Sequence, residues 1–566
     1  MGLRVLIVVL LAAIGTAPAH AQGTELVPGV TYEKIVQFTP HGAVALHVIT
    51  APRPGDQNGL YQLAPVLGHG TILGPREKVT QLQKDVSAQA TVAGINGDLW
   101  NQTDGHPAGI VMSGGVLEHP PLAGRSSIGV DAAGSLHVDR VRFFGTWRGT
   151  GQRRPLNGVN QTPASGQVVL FTPAYGAAVP QVAGSAEAIL EPFPAATPNN
   201  DLTATVTAVG TEGGQQIPPD GAVLMATGTT AAKLAAEAPV GTPLTTRLIL
   251  QPTWDGVGSA LGGGPVLVRN GKAVFRSLED FTNEQIAGRD ARAGIGQLAD
   301  GRIVLVAVDG RQPGYSVGMT SFELAQTMQR LGAVTAAGVE SGGAVTVAFD
   351  AQLLSRPADA AGERAVREAL LVEYFGVYVP PLPIPLLNGD AARSVEPLSY
   401  KLVRPSTVTA ALVGPDDVAR VLENAVAHAP GSYSLPFQQL DAEGGWHWRV
   451  QATDDLGRTS VADRPFRYDT TLKGLAVPAV SHGQLTVRFT LTRPAKVRLR
   501  IETRTGVTMR DLSPATLAAG PAQVVWDGRL PQGTRAYGGT YVAHVFVSST
   551  VGTSDLAVPF AFRRGA

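Results

Sequence analysis

The sequence predicts an α+β N-terminal domain followed by two all-β sandwiches. Three observations lead there. Glycine and proline are frequent (67 and 41 of 566 residues) and the apolar runs are short, which favours strands and turns over long helices. A proline-rich stretch, VPPLPIPLLNGD from Val379 to Asp390, splits the chain into a long N-terminal part and a tail. The tail repeats a pattern of alternating runs, as small sandwiches do.

Residues 1–21 read as a secretory signal peptide. Arg4 supplies the positive end, VLIVVLLAAIG is an apolar run too short to span a bilayer, and Ala19-His20-Ala21 is a small-x-small cleavage site. The mature chain is expected to begin at Gln22 and to be secreted or extracytoplasmic. No second apolar stretch is long enough for a transmembrane helix. Lys plus Arg equals Asp plus Glu at 45 each, so no basic excess points to nucleic acid. Without cysteine there are no disulfides, thiolate metal sites or cysteine nucleophiles.

Residues 22–378 form the expected N-terminal domain. VALHVITA (Val44–Ala51) alternates like a strand, and REKVTQLQKDVSAQA (Arg76–Ala90) has helical spacing at Val79, Leu82 and Val86. IVLVAVDG from Ile303 reads as a buried strand. Thr320-Ser321-Phe322-Glu323 is a capping box that opens a helix with Leu324, Ala325, Met328 and Leu331 on one face. GAVTAAGV then reads as a strand, so the order is strand, helix, strand and a glycine loop, GVESGGAV (Gly338–Val345), at the last strand's end.

Several stretches could carry chemistry. Asn96-Gly97-Asp98 follows a strand; by itself it reads first as a hairpin turn, and second as a polar cluster held by a tight turn. Gly262-Gly263-Gly264 lets backbone N–H groups approach an anion, or is a plain loop. Arg292 could grip a phosphate in bidentate fashion, or stand solvated at the surface. No GxSxG elbow, HExxH or Walker loop is present. His106 near Asp104, and His119 after Glu118, lack clear ligand spacing.

After a linker over 379–395, residues 396–470 and 471–566 are the two sandwiches. YKLVRPSTVTAALVGPDD from Tyr400 parallels FTLTRPAKVRLRIETRTG from Phe489. The second copy adds Trp526-Asp527-Gly528 and there resembles the Ig-like module of the flagellar hook-capping type. That resemblance implies a spacer or a surface for docking to a cell envelope.

The order GINGDLW, MSGGVL, LGGGPVLVRNGKAVF, RDARAGIGQLADGRIVLVAVDGR, GMTSFELAQTMQRLGAVTAAGVESGG, AQLLSRPAD and ERAVREALLVEY resembles the phosphodiester glycosidase family over about residues 30–378. The resemblance implies a hydrolase that cleaves a glycosyl-1-phosphodiester, with a glycan or glycan-phosphate as substrate. It implies catalytic roles for Asp98, Arg292, Asp309 and Glu340. It implies substrate-binding roles for Asn96, Gly97, Gly263, Gly264, Arg311, Thr320, Gly342 and Gly343. A carboxylate would stabilise or attack the oxocarbenium-like centre, and cationic or backbone donors would hold the phosphate.

The signature loop departs from the family's Leu-Asp-Gly-Gly-Gly-Ser. Here Glu340 stands for aspartate, Ser341 for glycine and Ala344 for serine; Ala293 replaces a threonine after Arg292. Three readings follow: an active hydrolase using Glu340, a catalytically impaired carbohydrate- or phosphoglycan-binding protein, or an extracellular structural protein. No cofactor is required by the sequence. Carboxylates beside a phosphate leave room for Ca²⁺ or Mg²⁺, although no ligand loop is recognisable.

Overall fold

Short apolar runs bounded by turns fold here as strands. The computed structural model describes residues 23–563 except 276, 383–385, 389–397, 438–439, 479, 481–482 and 505. The expected signal peptide lies outside the described residues, as does most of the proline-rich linker. Two compact units emerge. The first runs to Glu373, and the second comprises the chain from Tyr374 together with Gln57–Leu60 and Val86–Thr91.

The first unit is β-rich, which corrects the expectation of an α+β domain. Its helices are few and short: Val79–Val86 fills only the middle of the Arg76–Ala90 stretch, and Ser321–Arg330 is ten residues long. The latter is fixed at its start by the expected capping box. Thr320 accepts from the Glu323 N–H, and Glu323 reaches back to the Thr320 N–H.

An eight-stranded sheet orders Thr24–Val27, Val30–Thr39, Gly42–Ala51, Ile303–Val308, Arg292–Leu298, Ala333–Gly338, Val266–Arg269 and Lys272–Ala273. Strands Ile303–Val308 and Ala333–Gly338 do not pair with each other; each lies antiparallel to Arg292–Leu298 between them. The helix therefore links two strands across a third. Leu324, Ala325 and Met328 pack with Leu46, Val306 and Val308 in one core.

Two five-stranded sheets supply the other walls of the site. One contains Thr91–Asn96 next to Glu368–Tyr374; the other places Val257–Gly262 beside Ser127–Asp131. A second eight-stranded sheet, which includes Arg142–Arg148, Arg154–Leu156 and Pro243–Gln251, has its own core around Trp147, Leu224 and Leu248.

The second unit holds two β cores. Trp446, Trp448, Tyr400 and Tyr468 fill the first, and Trp526, Tyr541, Phe560 and Phe562 the second. Alternation decides which side chains enter: every second residue of Gly444–Asp454 from Trp446 to Ala452 is buried. Leu386–Asn388, within the stretch expected to be a linker, is a strand at a sheet edge parallel to Thr459–Asp469, a position that nearby prolines tolerate. The WDG step has a physical role. Trp526 Nε1 donates to the Arg529 carbonyl at 2.9 Å, the Asp527 carboxylate accepts from the Arg529 N–H at 3.0 Å, and Gly528 takes φ +72°.

Candidate active site

The strand Thr91–Asn96 is buried at every position, so its C-terminal polar residues are delivered into the interior. Asn96 is a brace. Its Nδ2 donates to the Glu340 carbonyl at 2.9 Å and its Oδ1 accepts from the Thr346 N–H at 3.1 Å. The Glu340 N–H returns to the Gly97 carbonyl at 3.1 Å. These bonds tie the NGD step to the GVESGGAV loop. Asn96-Gly97-Asp98 is thus a buried polar cluster, not an exposed hairpin turn.

Asp98 is 1% exposed. Its Oδ1 accepts from Arg125 Nη2 at 2.6 Å, and its backbone N–H donates to Glu368 Oε1 at 3.2 Å. Arg125 also donates to the Gly263 carbonyl at 3.1 Å and lies over the Phe281 ring. Three carboxylates meet here, and each leaves one buried oxygen without a partner: Asp98 Oδ2, Glu340 Oε2 and Glu368 Oε2. Burial, and then the Asp98 charge, push both Glu340 and Glu368 up to about 8. Arg364, Arg76 and Arg125 pull Glu340 the other way but do not win. At neutral pH two carboxylic acids therefore stand beside an arginine-paired aspartate.

Glycine is demanded by crowding around this cluster. A Cβ on Gly262 would overlap Asp98 Oδ2, and one on Gly97 would overlap Glu368. Gly263 donates its N–H to the Ser126 carbonyl, and Gly264 donates to the Gly338 carbonyl at φ +108°. In the loop, Ser341 has φ −101° and ψ 179°, extended backbone that any residue adopts. The serine therefore costs no backbone strain there. Gly342 is the residue at φ +74°, and it is still glycine.

Cations flank the loop. A Cβ on Gly342 would lie 2.7 Å from Arg311 Nη2, and one on Gly343 would overlap Arg364. Arg311 forms two 2.7 Å bonds to Asp290, and Arg364 pairs with Asp359 at 2.7 Å.

The other expected site residues are held elsewhere. All three Arg292 nitrogens donate to carbonyls: Nε to Met319 at 3.0 Å, Nη1 to Gln285 at 2.5 Å and Nη2 to Gly288 at 2.5 Å. That guanidinium organises the turn before the helix and is not a solvated surface arginine. Asp309 accepts from His47 Nε2 at 2.8 Å, from the Tyr315 hydroxyl at 3.0 Å and from the Arg356 N–H at 3.0 Å. Thr320 is the helix cap. The contacts bring together Asp98, Glu340, Glu368 and Arg125, while the hydrogen bonds of Arg292 and Asp309 go to other groups.

Arg125 carried no motif, but Glu368 and Arg364 lie in ERAVREALLVEY, where a glutamate directly before the apolar run Ala369–Val372 is the available signal. The His106 and His119 rings meet at a tilt of 31°, 4.9 Å between centres. His119 is bonded to the Gly109 carbonyl, and burial and then His106 lower it to about 3. Among the described residues no group of three or more His, Asp or Glu is placed to hold a metal ion.

The comparisons bear on this geometry. Residues 195–373 match the phosphodiester glycosidase family model. This span contains Glu340, Arg364 and Glu368, while Asp98 and Arg125 come from the chain before it. Residues 474–550 match the FlgD Ig-like domain. No curated protein matches the chain.

Among solved structures, a hypothetical protein from Synechocystis is similar at 24% identity and TM-score 0.50, over 61% of this chain and 62% of that one. The chain thus spans under two thirds of that relative's length. A protein of Burkholderia pseudomallei K96243 aligns at 22% identity and TM-score 0.47, over 58% and 74%. The zebrafish N-acetylglucosamine-1-phosphodiester alpha-N-acetylglucosaminidase catalytic domain, auto-inhibited by its pro-peptide, aligns at 15% and TM-score 0.33, over 62% and 85%. The likeness to the Synechocystis protein supports the fold alone.

Proposed function

We propose that the first unit is a hydrolase of the phosphodiester glycosidase type, cleaving the glycosidic bond of a sugar-1-phosphodiester. One observation carries the reading: Glu340, in the matched segment, is held as an acid beside the arginine-paired Asp98. Carboxyl groups whose environments separate their proton affinities divide acid and base roles. In this assignment Asp98 faces the anomeric carbon and stabilises its developing positive charge. The C1–O bond to phosphorus breaks, its electron pair stays on the phosphate oxygen, and Glu340 gives that oxygen its proton. Water then bonds to C1 and returns a proton to Glu340. Arg311 and Arg364 are the cations that would hold the phosphate. Arg292 and Asp309 act through structure, positioning the loops.

The substrate class is an N-acetylglucosamine-1-phospho-glycan or a related envelope polymer, met outside the cytoplasm after export. The second unit would dock the enzyme to the envelope. The replacement of the family's aspartate by Glu340 favours one alternative, a catalytically impaired glycan-phosphate-binding protein.

Hydrolysis of a panel of sugar-1-phosphodiesters tests this, with wild type beside Glu340→Gln, with and without chelator. Free sugar released by wild type and lost in Glu340→Gln supports the hydrolase. No turnover together with retained binding of phosphate-bearing glycans selects the alternative. Loss of turnover with chelator would add a divalent metal to the scheme.

A further inference from the structure

After burial and Asp98, the charges that act on the Glu340 carboxyl are Arg364, Arg76 and Arg125. Two of these cations are already spent. Arg125 is paired with Asp98 and Arg364 with Asp359. Arg76 is exposed, and its side chain makes no ion pair among the described residues. Neighbouring carboxylates are engaged elsewhere: Glu77 accepts the His69 N–H at 2.9 Å, and Asp104 pairs with His106 at 2.5 Å.

Backbone pairing fixes where Arg76 stands. Glu77 and Val366 form an antiparallel bridge, each N–H donating to the other's carbonyl, at 3.0 and 2.8 Å. That register sets Arg76 opposite Arg367, the residue before Glu368. Arg367 is buried and donates to the Gly74 carbonyl. Like charges directly opposite are destabilising, and an anion beside them would offset the cost. The Arg76 guanidinium lies over the Trp100 ring, 4.6 Å from its centre. Trp100 is two residues past Asp98, half-buried, and bridged to Pro107. Stacking on an indole face steadies a guanidinium while its N–H donors stay open at the edges.

We propose that Arg76, seated on Trp100, binds the phosphoryl group of the substrate beside Glu340 and so selects an anionic leaving group. The placement rests on the hydrolase reading, in which the oxygen that Glu340 protonates belongs to the phosphate. Arg311 and Arg364 reach that phosphate with their charge already offset by Asp290 and Asp359. Arg76 brings a charge that is not offset, with a planar fork of donors matched to phosphate oxygens. A neutral leaving group would gain nothing from it.

The test is calorimetric binding to the full chain carrying Glu340→Gln, so that turnover does not intervene. The probes are the methyl diester of N-acetylglucosamine 1-phosphate and methyl N-acetylglucosaminide, which lacks the phosphate. Adding Arg76→Gln should weaken the diester about tenfold or more and leave the neutral glycoside within about twofold. Arg76→Lys keeps the charge without the fork and should fall between. Trp100→Leu removes the platform and should weaken the diester in the same sense. Equal losses for both probes, an unchanged diester affinity in Arg76→Gln, or no saturable binding of the diester would overturn the proposal. Arg76-dependent binding in a protein whose wild type turns nothing over would sink the hydrolase reading and leave the phosphoryl subsite standing.

Discussion

Arg125 donates to Asp98 at 2.6 Å with both side chains buried. Removing one partner of a buried pair leaves the other charge uncompensated, which costs about 3–5 kcal/mol. Arg125→Met should therefore lower the unfolding free energy of the first unit by that order in urea titrations. The double change Arg125→Met with Asp98→Asn should recover much of the loss, because no buried charge remains. A single variant within about 1 kcal/mol of wild type would mean that the pair is solvated.

Stability should fall as pH rises from about 6.5 to 8. Glu340 and Glu368 have folded values raised above the ordinary 4.5 to about 8, so the folded state keeps protons that the unfolded chain has released. That contribution is complete below pH 4.5 and is lost through pH 8, with a slope of up to about 1.4 kcal/mol per pH unit per group. His119 acts oppositely: its folded value near 3 makes stability rise until the unfolded histidine has titrated near 6.5. The window above 6.5 therefore leaves the histidine out, while Glu118 and Glu373, raised by burial to about 7, add to the decline at its lower end. Thermal melts at pH 6.5, 7.2 and 8 should show the decline, and Glu368→Gln should reduce it most between 7.2 and 8.

The sequence exposed the parts of the site that depend on backbone crowding. Gly97, Gly262 and Gly342 stand where the NGD step, the glycine run and the signature loop must pass close to charged groups, and those stretches are recognisable by spacing. It did not expose where side chains point. Arg292 and Asp309 sit in motif-bearing segments, yet carbonyls capture one, and His47, Tyr315 and a backbone N–H capture the other. Arg125 reaches Asp98 only through tertiary folding, so nothing local marks it. Helix content was overestimated for a similar reason: the Arg76–Ala90 pattern is amphipathic throughout, but only Val79–Val86 is helical.

Gly262→Ala should damage the site from within. Its Cβ would overlap Asp98 Oδ2 and lie 2.7 Å from the Gly109 Cα, and backbone at such a distance cannot yield easily. Overpacking of this kind costs about 1–3 kcal/mol, and displacing a reacting carboxylate by an ångström costs about 10²-fold in rate. Gly258→Ala, in the same strand with nothing within 4 Å and no positive φ, controls for adding a methyl group without a clash. Equal turnover in the two variants would argue against Asp98 as a reacting group.

Glu340 should set the alkaline limb of turnover. An acid needed in its protonated form loses activity as pH passes its folded value, so kcat/KM should fall above about pH 8. Glu340→Gln keeps the shape but has no proton to give, and should lose about 10²-fold or more at every pH. Glu340→Asp shortens the reach while keeping the chemistry. It should retain a pH-dependent limb with a lower maximum, because Asp98 still raises a buried carboxyl beside it. A limb that stays near pH 8 in Glu340→Gln would move the acid role to Glu368, the other carboxyl raised to about 8 by the same aspartate.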